Sequence, residues 1–341
     1  GKCPNHPTME LQVIEEENYF FALSKYQSYI EEYVSREGVI LPEWRRQEAC
    51  NFVKKGLEDF SISRERSRLD WGVPVPDDEH QVMYVWFDAL TNYISTLGWP
   101  DDREGHYKKF WEEGEPMQMA GKDQVRFQSI MWQAMLKSAG LSPTHHVLYH
   151  GFITSGGQKM SKSIGNVISP FDLINKYGVD GTRYMLLRHV HPFEDTDITF
   201  ERMDEWYNAN LANGIGNLVS RVMKMAEDNL ASPVLVKDQP LETSFTHKLD
   251  QYRFDAAMDD IWEHIGKGDA HIQEKQPFKM LKSDDPQTVE EGKIVIGRLV
   301  EHVYRIAEHL VPFMPETAEK IKQAVRENKK PDPLFQRIGT S

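Results

Sequence analysis

A change of hydrophobic rhythm near Thr199 constrains the fold more than any other feature of this chain. Before it, short runs of β-forming residues alternate with helical stretches. Residues 81–87 (with Val82, Tyr84, Val85 and Trp86) read as a strand, as do residues 117–120, which end at Gly121, and residues 146–153, which run into a Gly156-Gly157 loop. A helix over residues 127–138 falls between the second and third. Strand, helix, strand predicts a parallel βαβ unit, with ligands expected at the carboxyl ends of the strands. Beyond Thr199 strand patterns vanish. Amphipathic stretches run to about Val325, interrupted near Pro233, Pro240 and Pro286, which predicts an all-helical domain. At the other end, residues 1–24 read as hairpin-rich and residues 26–60 as helical, with Tyr26, Ile30, Tyr33 and Val34 at helical spacing.

The 341 residues suffice for two or three domains with real cores. A net charge of −13 argues against a protein that coats nucleic acid non-specifically, because such binding rests on many Lys/Arg–phosphate contacts. It leaves room for a local patch that reads one structured RNA. Two cysteines, Cys3 and Cys50, make no disulfide framework, and the expected compartment is the cytoplasm. No uncharged run approaches the ~18 residues of a membrane span, and no signal-peptide pattern is present. The chain begins at Gly1, in the middle of a motif, so it is expected to be part of a longer sequence.

The stretch Lys159-Met160-Ser161-Lys162-Ser163 carries the most chemistry. Two lysines and two serines sit in a Gly-flanked loop after an apolar strand. Ammonium groups, hydroxyls and exposed backbone N–H groups can follow phosphate oxygens, and a mobile loop can deliver them as a reaction proceeds. By spacing alone a solvated basic loop is the ordinary reading. The five residues, however, match the second signature loop of class I aminoacyl-tRNA synthetases without a mismatch. They follow that family's lead-in, His150-Gly151-Phe152-Ile153, and precede Ile164-Gly165-Asn166-Val167. The resemblance implies that Lys162 stabilises the pyrophosphate leaving group with help from Lys159, that Ser161 belongs to the same ATP site, and that His150, Gly151 and Ile153 lie against adenine.

The run from Tyr84 through Trp86, Ala89 and Leu90 to Tyr93 resembles the pocket segment of the methionyl enzymes. An unbranched thioether suits an aromatic slot, since sulfur packs well at ring edges. Resemblance therefore makes Trp86, Ala89, Leu90 and Tyr93 walls of a methionine pocket; spacing alone would leave them as core. Gly121-Lys122-Asp123 resembles the family's next element, with Gly121 and Lys122 toward ATP and Asp123 toward the ribose or the methionine ammonium. The chain departs from the family where Gln124 replaces an apolar residue and Gln128 a histidine near the methionine sulfur. Ile62-Ser63-Arg64 resembles a segment whose arginine serves activation; a surface ion-pair role for Arg64 stands equally open.

Residues 199–229 can be drawn as one helix with an apolar stripe of Leu211, Ile215, Leu218, Val219 and Val222. Asn210, Asn213, Asn217 and Arg221 share another face. Composition alone makes that face a solvated one. It resembles the anticodon-binding helix of methionyl-tRNA synthetases, which places Asn213, Asn217 and Arg221 at base-reading positions, and Phe278 where the family usually has a stacking tryptophan. Amides and a guanidinium can read the edges of splayed bases.

Together these readings give an α/β plus all-α fold: a partial Rossmann-like parallel sheet followed by an anticodon-binding helix bundle. The expected divisions are residues 1–25 as the end of a connective insertion, 26–155 as the C-terminal half of the catalytic domain, 156–200 as a linking segment with the signature loop, and 201–341 as the helical domain. The resemblance implies ATP with Mg2+, methionine and tRNA(Met) as substrates and partners. The first signature, His-Ile-Gly-His, does not occur in the sequence, so the isolated chain is expected to be inactive. Cys3 and His6 are too few for a tetrahedral zinc site, and no metal is expected in this chain. The alternatives are a class I enzyme for leucine, isoleucine, valine or cysteine, or a non-catalytic tRNA-binding remnant.

Overall fold

The computed structural model describes residues 15–161 and 165–339, together with the backbone of Lys2–Cys3 and His6–Glu10. Contacts divide it into two compact units, Gly1–His150 and Gly151–Ser341. Among the described residues no helix is long and apolar enough to cross a membrane.

The first unit opens with β1 (Lys2–Cys3) and β2 (His6–Glu10), an antiparallel pair. There follow β3 (Phe20–Phe21), α1 (Gln27–Ser35), β4 (Ile40–Leu41), α2 (Glu43–Val53), β5 (Phe60–Ser61), β6 (Ser63–Glu65), β7 (Pro74–Val75) and β8 (Asp78–Met83). The unit continues through α3 (Val85–Ala89), α4 (Asn92–Ser95), β9 (Met117–Gly121), α5 (Trp132–Ser138) and β10 (His146–His150). The central sheet has the order β4-β10-β9 and is parallel throughout. β9, α5 and β10 are the expected βαβ unit. Its strand β10 is apolar and buried at Val147, Leu148 and Tyr149, as a strand covered on both faces must be.

Two strand expectations need correction. Residues 81–87 are not one strand of the parallel sheet. β8 stops at Met83 and pairs antiparallel with β6 and β7. The chain then turns helical, because the N–H groups of Phe87 and Asp88 both donate to the Tyr84 carbonyl. Aromatic residues with high strand propensity sit on a short helix here because tertiary packing outweighs a preference worth about 1 kcal/mol at most. The third parallel strand is instead β4, whose two apolar residues are too short to show alternation. The strand expected over residues 146–153 also ends early, at His150; Ile153 begins a different sheet.

The second unit contains that small sheet, β11 (Ile153–Ser155), β12 (Gln158–Lys159) and β13 (Thr196–Asp197), in the order β12-β11-β13. α6 (Pro170–His189) intervenes. From α7 (Phe200–Trp206) onward the regular elements among the described residues are all helices: α8 (Gly216–Asn229), α9 (Thr243–Asp250), α10 (Phe254–Lys275), α11 (Pro277–Met280), α12 (Pro286–Leu310) and α13 (Pro315–Glu327). α8, α10 and α13 pack against α12. Pro286 opens α12 rather than breaking a helix: Asp285 caps it by accepting from the N–H groups of Gln287 and Thr288. The single helix expected over residues 199–229 is broken into α7, a wide π-type segment at Tyr207–Ile215, and α8, with Gly214 at a non-helical ψ of −105°. The apolar stripe survives the break. Leu211, Ile215, Leu218, Val219 and Val222 are all at most 1% exposed, and each buried side chain of this kind contributes roughly 1.5–3 kcal/mol.

Candidate functional site

Three groups of side chains carry the sequence expectations, and each is built differently. In the first unit, α3 and α4 carry an aromatic pocket. The Trp86 ring stacks on Phe127 at 4.7 Å. Tyr93, from α4, lies 6.1 Å from Trp132, and its hydroxyl accepts a 2.7 Å hydrogen bond from Gln128 Nε2. Leu90 is buried just beyond α3, and the Ala89 carbonyl accepts from the Asn92 side chain. The structure thus brings Trp86, Leu90, Tyr93 and Gln128 into one aromatic neighbourhood. Gln128 is 3% exposed, and no group among the described residues donates to its Oε1. A buried acceptor without a partner costs about 1–3 kcal/mol, so this oxygen is suited to a ligand's hydrogen-bond donor. An apolar cavity of about 250 Å³ adjoins, lined by Phe87, Ile94, Trp99 and Trp132 among others.

Arg64 lies beside the same segment. Its guanidinium sits 4.9 Å over the Tyr84 ring and donates to Ser61 Oγ and the Ser63 carbonyl, and it makes no ion pair with a described residue. Gly121 and His150 end β9 and β10 and are register partners across the sheet. A tight turn, Lys122–Gln124, follows Gly121 and leaves Asp123 exposed. Gly121, Lys122, Asp123 and His150 are therefore all at the carboxyl edge of the parallel strands, where α/β sheets place ligands.

The second unit carries the signature loop. Gly151 is buried, and a Cβ there would meet the backbone carbonyl of Glu194 at 2.1 Å, so only glycine fits. Ile153 opens β11. Asp197 accepts from Thr154 Oγ1 and from the Gly157 N–H; those two bonds hold its carboxyl below the usual range and lock the β11–β12 hairpin. The Lys159 ammonium lies 4.7 Å over the Phe152 ring, and Lys159 is otherwise exposed. Asn166 ties the loop's stem: its Oδ1 accepts from the Ser161 N–H at 2.9 Å, and its Nδ2 donates to the carbonyls of Lys159 and Ser155. Lys162 lies outside the described residues.

On the helices, Asn213 and Asn217 are exposed on one face of the π-type segment and α8. Asn217 has no hydrogen-bond partner among the described residues, whereas Asn213 Oδ1 accepts from Arg337 Nε at 2.8 Å. Arg221, half-buried, donates to Asp269 of α10 at 3.2 Å. Burial raises the Asp269 carboxyl, and Arg221 opposes that rise. Asn210, expected on the same face, instead donates to the Trp206 carbonyl of its own helix. Phe278 stands on the short helix α11 with 39% of its surface exposed. Asn166, Asp269 and Arg337 escaped sequence reasoning. Asn166 had a signal, standing directly after a loop glycine; the other two are distant partners that no local pattern marks.

The family model for tRNA synthetases class I (M) matches residues 4–223. The chain is 37% identical to a methionine–tRNA ligase of Fusobacterium nucleatum, over 94% of this chain and 52% of that one. It is also 37% identical to a methionine–tRNA ligase of Synechocystis sp., over 94% of this chain and 62% of that one. The chain thus spans about half to three-fifths of the length of these curated relatives. Among solved structures it resembles Mycobacterium tuberculosis methionyl-tRNA synthetase in complex with methionyl-adenylate, at a TM-score of 0.83 and 32% identity, over 95% of this chain and 69% of that one.

Proposed function

The chain belongs to the class I (M) tRNA synthetase family, and on that premise we propose that it is part of a methionine–tRNA ligase that activates methionine with ATP and transfers it to tRNA(Met). The observation that carries this reading is the aromatic pocket. A slot walled by Trp86, Leu90 and Tyr93 suits an unbranched thioether, and Gln128 Oε1, which has no donor among the described residues, is open to an N–H of the amino acid. The curated relatives' specificity points the same way.

In the activation step the methionine carboxylate attacks the α-phosphorus of Mg-ATP. A carboxyl–phosphate bond forms, the α–β bridging P–O bond breaks, and pyrophosphate leaves with that electron pair. Mg2+ entering with ATP screens charge on the triphosphate. Gly121, Lys122, His150, Gly151 and Ile153 bind the nucleotide, Asp123 faces the ribose or the methionine ammonium, and Arg64 serves activation. Lys159, Ser161 and Lys162 meet charge that grows on the leaving pyrophosphate, so their effect is greater in the transition state than in the ground state. In the transfer step a hydroxyl of the tRNA's terminal ribose attacks the acyl carbon, and AMP leaves. Asn213, Asn217 and Arg221 read the anticodon, with Phe278 as a stacking surface worth roughly 1–3 kcal/mol per base.

The test is ATP–pyrophosphate exchange by the protein that carries this chain, with methionine set against leucine, isoleucine, valine and cysteine. Methionine alone should support exchange at low concentration. Lys162→Ala should lower the exchange rate far more than it weakens ATP binding. Exchange supported best by another amino acid, or equal losses of rate and ATP binding, would contradict this reading.

A further inference from the structure

No metal is expected from the sequence, yet the fold brings Glu115 up to the adjacent pair His145-His146, which lies a helix and two loops further along the chain. Glu115, His145 and His146 present one ligand atom each within 4.8 Å of one another. They sit at the amino-terminal edge of the parallel sheet, just before β9 and at the start of β10, opposite the edge that carries Gly121 and His150. We propose that these three residues bind a divalent first-row transition ion such as Zn2+, which ties the amino-terminal ends of β9 and β10 together.

The donor set favours that class of ion. Two imidazoles with one carboxylate suit zinc, nickel or copper, whereas magnesium and calcium take oxygen ligands. A tetrahedral centre with bonds of about 2.0–2.1 Å holds its donors ~3.3 Å apart. Small rotamer changes at the exposed Glu115 and His145 close the remaining gap.

The backbone beneath the three groups is fixed. The N–H groups of His145 and His146 both point at the Pro116 carbonyl, at 2.9 and 3.3 Å, which pins the two histidines to the residue that follows Glu115. Thr144, 1% exposed, anchors the turn from below: its N–H donates to Gln133 Oε1, its hydroxyl donates to Gln118 Oε1, and Gln133 Nε2 donates to that hydroxyl. His146 is also oriented. Its Nδ1 lies 2.9 Å from the Gly38 carbonyl oxygen, which can only accept, so Nδ1 carries the proton and Nε2 keeps the free lone pair. An imidazole that donates its other N–H to a backbone carbonyl is the usual outer support of a metal ligand. Three protein donors leave a fourth position for water.

The experiment is competition for Zn2+ against a chromophoric chelator with the full chain, alongside its thermal unfolding with Zn2+ or with EDTA. The expected result is one ion per chain at this site and a higher Tm with Zn2+. His145→Ala and Glu115→Gln change exposed side chains, so both should fold, lower the affinity at least ~10-fold and abolish the Tm increment. A His6→Ala, Cys3→Ser double variant should leave both readings unchanged. No binding, binding that survives His145→Ala, or binding lost only with His6 and Cys3 would each overturn the proposal. Failure here would leave the ligase reading intact, because no residue of this site belongs to the proposed machinery.

Discussion

The aromatic pocket and the polar helix face meet solvent in opposite ways. The pocket is cut from core: Trp132, which backs Tyr93, is 1% exposed; Trp111 meets it edge-on and Tyr93 at a tilt. The groups proposed to contact the amino acid are also structural groups, since Gln128 holds Tyr93 and, among the described residues, has an Oε1 without a donor. The polar face lies on the outside of a helix whose inner stripe is buried separately. Among the described residues Asn217 has no hydrogen-bond partner, and Arg221 and Asn213 are each held by a single partner, Asp269 and Arg337. On the proposed reading the difference follows from the ligands: a small apolar substrate calls for a dry, fixed cavity built from core residues, and splayed bases call for accessible donors and acceptors spared from the core.

That contrast predicts that substitutions separate stability from recognition. The largest effect is expected from Trp132→Ala, which empties the support of the pocket. Removing so large a buried ring should cost about 3–5 kcal/mol, seen as a lower urea midpoint. A loss below ~1 kcal/mol would mean that the pocket is not core. Gly151→Ala comes next, since its Cβ would strike the Glu194 carbonyl; the forced backbone shift should cost about 1–3 kcal/mol in the same assay.

The third effect comes from pH and falls on the helical unit. His189 stacks on Trp206 at 4.0 Å, and the Tyr184 hydroxyl meets its Nε2. Burial first, then the neighbouring Arg188, push its imidazole down to about 4. The unfolded imidazole, near pKa ~6.5, binds the proton that the folded one refuses. Stability from this site is therefore complete above about pH 6.5, falls between there and about 4, and changes no further below. After allowance for solvent screening the swing is on the order of 1 kcal/mol. Thermal unfolding of the wild type and of His189→Gln across that window checks it: the variant should lose this component of the slope, and parallel curves would refute the assignment.

Legibility in the sequence followed the same divide. The apolar stripe from Leu211 to Val222 could be read because helix periodicity reports burial directly, and all five residues are buried. β9 and β10 were legible as short apolar runs bounded by turn residues. Residues 84–89 were not: Val85, Trp86 and Phe87 prefer strands, and only long-range packing onto Phe127 and Phe21 makes them helical. The break at Gly214 is a local backbone event that a smooth hydrophobic period conceals. At the candidate sites, residue types in motifs were legible and partners were not. Asp269 and Arg337 meet their partners, and Glu115 meets the His145-His146 pair, by tertiary contact alone.

The smallest stability effect should accompany the sharpest loss of discrimination. Asn217 is exposed and has no hydrogen-bond partner among the described residues, so Asn217→Ala leaves no described group unpaired. Its change in unfolding free energy should fall within ~0.5 kcal/mol, as for surface substitutions generally. An asparagine amide offers a donor and an acceptor together and so can tell one base edge from another. A chain of net charge −13 gains little from diffuse attraction to RNA, which leaves selectivity to such contacts. Titrations at fixed salt with a tRNA(Met) anticodon stem-loop and one with a changed anticodon should show a preference in the unmutated chain. Asn217→Ala should narrow that preference, while a substitution at Lys237 should shift both RNAs alike. Equal affinity for the two anticodons in the folded, unmutated chain would mean that this face is only solvated, and the contrast between the two regions would reduce to one of burial.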